Sequence, residues 1–141
     1  MPDNTLKLSD SQTLEIRRSD AEVLELTSTW QPSTQPPPTH WHPHQDERFE
    51  VLTGGLTVEL GGEAPRVFRE GDVLEVPRGT AHRMWNAGPG TASATWTVTP
   101  ALRTEEMFRY IDQGLGGLRK VGMLAKFRNE FRLGSPRTER K

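Results

Sequence analysis

The sequence predicts an all-β fold, a sandwich or barrel of short strands followed by two α-helices, and three observations carry that prediction. Apolar residues fall in short runs that alternate with polar ones, turn-forming residues interrupt those runs at close intervals, and helical periodicity begins only after Pro100. At 141 residues the chain suits one domain with one modest core. Hydrophobic residues make up 33% of it and the mean hydropathy is −0.69, but their clustering into alternating runs argues for half-buried strands and against disorder.

Residues 1–20 are polar with scattered leucines and are expected to form an arm with one edge strand around Leu14–Ile16. The β-body is expected over residues 21–100. Between Glu22 and Trp30, Leu24, Leu26, Ser28 and Trp30 share one face, the period of two that marks a strand. Gln35-Pro36-Pro37-Pro38 then interrupts as an extended surface connection, because prolines cannot donate to a sheet ladder. Short strands follow at His40–His42, Glu47–Thr53, Leu56–Leu60, Val67–Phe68, Val73–Val76, His82–Trp85 and Thr91–Thr99. Turns fall at Gly54-Gly55, Gly61-Gly62, Glu70-Gly71-Asp72, Pro77-Arg78-Gly79 and Gly88-Pro89-Gly90. Many short strands with no helix between them favour a sandwich or barrel over a parallel α/β sheet.

Residues 101–133 are expected to be helical. Thr104 is placed to cap a first helix with Glu105 and Glu106 in its first turn and Phe108, Ile111 and Leu115 on one face, ended by Gly114, Gly116 and Gly117. A second helix from Leu118 to Leu133 would carry Val121, Leu124, Phe127 and Phe131 as a stripe, leaving residues 134–141 as an unstructured tail. The two helices should pack on the β-body or on a second subunit.

Composition narrows the function. With 18 basic and 19 acidic side chains the net charge is −1, which gives no reason to expect nucleic acid or an anionic membrane as partner and favours a small organic ligand. No basic helix-turn-helix segment is evident. The absence of cysteine excludes disulfides, thiolate metal sites and a cysteine nucleophile. The N-terminus has no signal-like pattern and no run nears the roughly 20 apolar residues that span a bilayer, so a cytoplasmic, soluble protein is expected.

All four histidines lie at His40, His42, His44 or His82. Strand alternation sends His40 and His42 to the same side, about 6.5 to 7 Å apart along the backbone, so two imidazoles can converge on one ion. Glu47 shares a face with Phe49 and Val51, offering a carboxylate at the edge of an apolar interior, and Pro77-Arg78-Gly79 redirects the chain to bring in His82. Three imidazoles and one carboxylate suit one divalent transition metal: iron, manganese, nickel, copper, cobalt or zinc. His-x-His by itself equally describes exposed strand histidines; the conjunction with Glu47 and His82 is what points to a site.

The remaining residues have plainer readings beside functional ones. His44 follows Pro43 and is either a substrate-contacting group or a solvated rim histidine. Gln45 and Asp46 are expected to face solvent or the turn, Asn86 to close a turn, and Gly79 to supply a backbone angle others avoid. Phe49, Val51, Met84 and Trp96 are candidate substrate contacts, with Val58, Trp85 and Val98 as further barrel-lining candidates and core packing as the competing reading for all of them. By parity with His82, Met84 should point toward the site and Trp85 away.

Two stretches carry a family resemblance. The first reads His40-x-His42, four residues, Glu47, six residues, Gly54; the second reads Gly71, five residues, Pro77-x-Gly79, two residues, His82, three residues, Asn86. They resemble the two motifs of the cupin family, with 16 residues between Gly54 and Gly71, a short spacing of the kind seen in compact bacterial single-domain cupins. One departure is Thr34, where the family usually has glycine six residues before the first histidine. The resemblance spans roughly Glu22 to Pro100, and the terminal helices are similar to an appendage of some members. It implies a double-stranded β-helix, or jelly-roll, barrel in which the residues matching His40, His42, Glu47 and His82 bind the metal. It also implies a homodimer, since cupins of this size often pair and open sheet edges favour association. Several cupin dioxygenases have such a site, so an oxygenase-like, metal-dependent oxidoreductase is expected first. Metal-assisted isomerase, cyclase or lyase chemistry stands close behind, and a non-catalytic ligand-binding module is the third reading.

Overall fold

The computed structural model describes residues 4–136, so the first three residues of the expected arm and residues 137–141 of the expected tail lie outside the described residues. Eleven strands and two helices follow one another along the described chain. The strands are β1 (Thr5–Ser9), β2 (Gln12–Ser19), β3 (Leu24–Trp30), β4 (His40–Trp41), β5 (Asp46–Thr53), β6 (Gly55–Leu60), β7 (Arg66–Arg69), β8 (Val73–Val76), β9 (His82–Trp85), β10 (Ala92–Thr99) and β11 (Arg132–Leu133). Between β10 and β11 lie α1 (Thr104–Asp112) and α2 (Gly117–Lys126).

Two antiparallel sheets form the jelly roll, one in the order β1-β2-β3-β10-β5-β8 and the other in the order β11-β4-β9-β6-β7. They face each other as the two walls of a sandwich around a common core and are not joined into a continuous closed ladder. The alternation in β3 is as expected: Leu24, Leu26, Ser28 and Trp30 are buried and the intervening residues are half-exposed. β10 repeats it, with Ala92, Ala94, Trp96 and Val98 inward and Ser93, Thr95 and Thr97 outward. At Gly54, between β5 and β6, φ is +71° and a Cβ would lie 2.5 Å from the Thr91 carbonyl oxygen, so only glycine fits this turn.

Three expectations need correction. The N-terminal segment contributes a two-stranded hairpin, not a single edge strand: Leu6 pairs with Leu14 across β1 and β2, and both are buried. Thr104 does not cap α1; Arg103 occupies the cap without a side-chain hydrogen bond, because the Thr104 hydroxyl is engaged from inside the fold by Gln45. The second helix stops at Lys126 instead of Leu133. Phe127 is fully buried at its C-cap, and the chain beyond turns back so that Arg132 pairs with Trp41 and Leu133 with His40. The expected stripe splits in consequence: Phe127 joins Met123 in the core, whereas Val121 is 63% exposed. Even the first residue of the expected tail is fastened, since the Gly134 N–H donates to the Thr39 carbonyl.

Candidate metal centre

Sheet register builds the site. His40 on β4 stands directly opposite His82 on β9, with ring centroids 4.4 Å apart. His42 lies just beyond β4 on the same face, its ring 5.0 Å from that of His40 and 5.3 Å from that of His82. The turn that delivers His82 is latched to the strands it serves: the Gly79 N–H donates to the His42 carbonyl, and the Arg78 backbone and guanidinium both donate to Asp46. Gly79 adopts φ +82° there, the left-handed angle expected of it.

Each ring is held from behind by a carbonyl, and this decides which nitrogen faces inward. The Nδ1 atoms of His42 and His82 lie 2.7 Å from the Glu130 carbonyl and 2.9 Å from the Thr80 carbonyl, and that of His40 lies 3.4 Å from the Pro38 carbonyl. A carbonyl oxygen only accepts, so the proton of each ring belongs on Nδ1 and Nε2 presents its lone pair inward. A ligating atom of each of the three rings lies within 4.8 Å of those of the other two.

Glu47 completes the arrangement from β5. Its Oε2 accepts a 2.7 Å hydrogen bond from Trp96 Nε1, which leaves Oε1 turned to the histidines, 3.0 Å from His42 Nε2 and 3.1 Å from His82 Nε2. The approach to His42 is at ion-pair distance without hydrogen-bond direction, and both His42 Nε2 and Glu47 Oε1 are buried with no hydrogen-bond partner. Two lone-pair atoms facing each other in a buried site repel unless a proton or a metal cation lies between them. This donor set fits a transition metal, for which three imidazoles and one carboxylate oxygen are ordinary ligands that bind on losing any Nε2 proton.

The same geometry shifts the protonation of the groups. Burial, with His82 and His42 close by, lowers the His40 pKa to about 3, so this ring stays neutral. Burial also opposes a charge on His42, but Glu47 and the Glu130 carbonyl outweigh it and raise its pKa. For Glu47 the burial cost is outweighed by His42 and His82, and the carboxyl is held well below its usual range. The Glu47 carboxylate is thus charged, as a ligand must be.

A cavity of about 290 Å³ opens onto this cluster. Phe49, Met84 and Trp96 line it as expected, while Trp85 lies outside the lining with Arg83 over its ring. Two expected substrate contacts do not reach it. His44 is exposed, because the strand breaks at Pro43 and the side chain leaves the sheet face; Val51 is buried two residues beyond Phe49, where β5 has passed into the core between the sheets.

Several contributors had no sequence signal assigned to them. Gln45, expected near solvent, is only 1% exposed, lines the cavity, and donates from Nε2 to the carbonyls of Pro100 and Ala101 and to Thr104 Oγ1. Phe131 stacks on His40 with centroids 4.7 Å apart and planes 23° apart, and Glu130 supplies the carbonyl behind His42. Met107 and Phe108 of α1 and Met123 of α2 roof the cavity. Asn86 closes its turn as expected, accepting at Oδ1 from the Gly88 N–H, and its buried side chain donates to the carbonyls of Trp30 and Gly90.

Comparison with known proteins bears on the family. The family model described as a cupin domain matches residues 26–98, just over half of the chain. The chain belongs to the cupin family. Among solved structures this cupin is similar to KdgF from Halomonas sp., at TM-score 0.64 and 19% identity over 72% of this chain and 91% of that one, a likeness of fold. An oxalate oxidase in complex with the substrate analogue glycolate matches at TM-score 0.50 and 27% identity, over 56% of this chain and 42% of that one. By sequence it is 38% identical over 62 residues to the oxidoreductase iacF of Pestalotiopsis fici, covering 44% of this chain and 30% of that protein. It is 32% identical over 68 residues to the tetracenomycin polyketide synthase protein TcmJ of Streptomyces glaucescens, covering 48% of this chain and 45% of that protein. The chain thus spans less than half the length of these two relatives. Among the described residues, no helix is long and apolar enough to cross a membrane.

Proposed function

We propose that His40, His42, Glu47 and His82 hold one divalent transition metal, and that this cupin is a metal-dependent, oxygenase-like enzyme acting on a small organic molecule. The observation that carries the reading is the cluster of three histidine rings, with ligating atoms within 4.8 Å of one another, and Glu47 Oε1 beside His42 and His82, each side chain held from behind by a carbonyl or by the Trp96 N–H. When bound there, such a metal supplies Lewis acidity toward a carbonyl or enolate and, if iron, manganese, copper or nickel, redox capacity. The chain's own residues do the rest. Glu47 neutralises charge, the apolar walls exclude water, and the face left by four protein ligands admits a substrate oxygen. Relatives named as oxidoreductases and the oxalate oxidase match support the oxidative reading. A second reading is redox-neutral, as a metal-assisted isomerase, cyclase or lyase, in which the metal acts only as a Lewis acid. The test is elemental analysis of untagged protein prepared without added metal, followed by oxygen-electrode assays with enols, phenols and diketones. Metal near one per chain with oxygen uptake supports the oxygenase, product formation without uptake supports the redox-neutral reading, and ligand binding without turnover leaves a binding module.

We propose further that the protein is a homodimer; light scattering that gives the mass of one chain at working concentration would refute this.

A further inference from the structure

The cavity is more specific than an apolar hole above a metal centre. Three of the four methionines in the chain, Met84, Met107 and Met123, line it, and so do the rings of Trp30, Phe49, Trp96 and Phe108. Thioether sulfur and aromatic edges gain most from a flat π-face, and unbranched methionines adapt their shape to a rigid plate. The rings are already arranged as such a wall, with Phe49 and Trp96 stacked at 5.1 Å and 27°, and Trp96 and Phe108 at 5.3 Å.

Charge in the cavity sits in two places. Glu47, His42 and His82 are buried at one side of the cavity, with half-buried His40 beside them. Apart from them, the charged side chain in the lining is Lys120 of α2, which is exposed, and among the described residues it has no ion-pair partner. An ammonium left without a counter-charge beside an apolar lining is offered to an anion.

From these two observations we propose that the cavity takes a planar aromatic molecule with an oxygen donor at one end and a carboxylate at the other. The oxygen enters toward the histidines, the rings lie between the methionines and the aromatic wall, and the carboxylate meets Lys120. This rests on the reading of the cavity as the substrate site and narrows it to hydroxyaryl carboxylates.

Titration calorimetry with three probes, 6-hydroxy-2-naphthoate, 2-naphthol and decanoate, tests it, with metal content measured on the same samples. The hydroxynaphthoate should bind about fivefold more tightly than naphthol, as an exposed ion pair allows, and more tightly than decanoate. Lys120→Ala should erase the gap between the two naphthalenes and Lys120→Glu should reverse it, each read as the ratio of the two affinities within one variant. Equal affinities in the wild type, a gap that survives Lys120→Ala, or decanoate binding as tightly as the hydroxynaphthoate would each overturn the inference. Metal near one per chain alongside any of those results removes this inference and leaves the metal centre standing. Metal-free protein that shows the full Lys120-dependent pattern does the opposite.

Discussion

The floor of the cavity and its roof differ in how their polar groups are held. On the floor, strands β4, β5 and β9 aim His40, Glu47 and His82 inward, His42 follows just beyond β4, and each is braced by a separate contact behind it. The roof is tied at its periphery, through contacts such as the Lys7 N–H to Asp112, Ser19 to Glu105 and Arg119 to the Gly114 and Tyr110 carbonyls. Neither α1 nor α2 has a side-chain cap hydrogen bond, Leu118 of α2 is 88% exposed, and the link between them runs through Gly114, Gly116 and Gly117. Gln45 fastens the start of α1 to the sheet, and Arg103 joins it to the end of α2 through the Lys126 carbonyl and the Phe127 ring. Chemistry that needs fixed ligands is held by buried contacts within the sheets, and the surface that must admit a ligand is placed on helices held mostly from their exposed edges.

The largest expected effect breaks the floor. Second-tier partners of a metal site cost about 10–100-fold in affinity when removed, so loss of a ligand in His82→Ala should exceed about 100-fold. Competition with a chelating dye measures it; unchanged affinity would remove His82 from the centre. Next comes the tie between floor and roof. Gln45→Leu keeps the bulk but strips the donor from two carbonyls and a hydroxyl, at an expected cost of about 2–3 kcal/mol in urea unfolding. A loss below about 0.5 kcal/mol would show that the roof does not depend on this residue. Trp96→Phe then asks whether bracing matters on the floor. It leaves Glu47 Oε2 buried without its donor, and metal affinity should fall about tenfold, with Glu47 easier to protonate. Affinity equal to wild type would mean that Glu47 needs no second support.

This contrast also explains what the sequence disclosed. Residues near one another in a strand announce their face by parity, so His40, His42, Glu47 and the inward side of β3 were legible, and the motif around Pro77 and Gly79 located His82. Gln45 was not, because its partners at Pro100, Ala101 and Thr104 lie 55 to 59 positions away and its neighbours His44 and Asp46 are exposed. The end of α2 was misread for a related reason. Leu124, Phe127 and Phe131 have helical spacing, but pairing of β11 with β4 and stacking of Phe131 on His40 reward a turn there instead. The β1–β2 hairpin did leave a signal, since Leu6 and Leu8, then Leu14 and Ile16, alternate on either side of Asp10-Ser11.

The smallest effect tests the roof's outer tie. Glu105 on α1 accepts from Ser19 at the end of β2 and from Arg109 one turn along the helix, and these contacts, Ser19 first, lower its pKa below the ordinary 4.5. A carboxyl whose pKa is depressed by folding adds stability above its unfolded pKa and loses it as pH falls through the folded one. Glu105→Gln should therefore be less stable than wild type at pH 7 by under about 1 kcal/mol, the group being partly exposed. The difference should shrink below pH 4.5 and close once Glu105 is protonated in the folded protein. A gap that widens on acidification would mean that Glu105 is strained by its surroundings, and that the hairpin pushes α1 away from the mouth instead of holding it there.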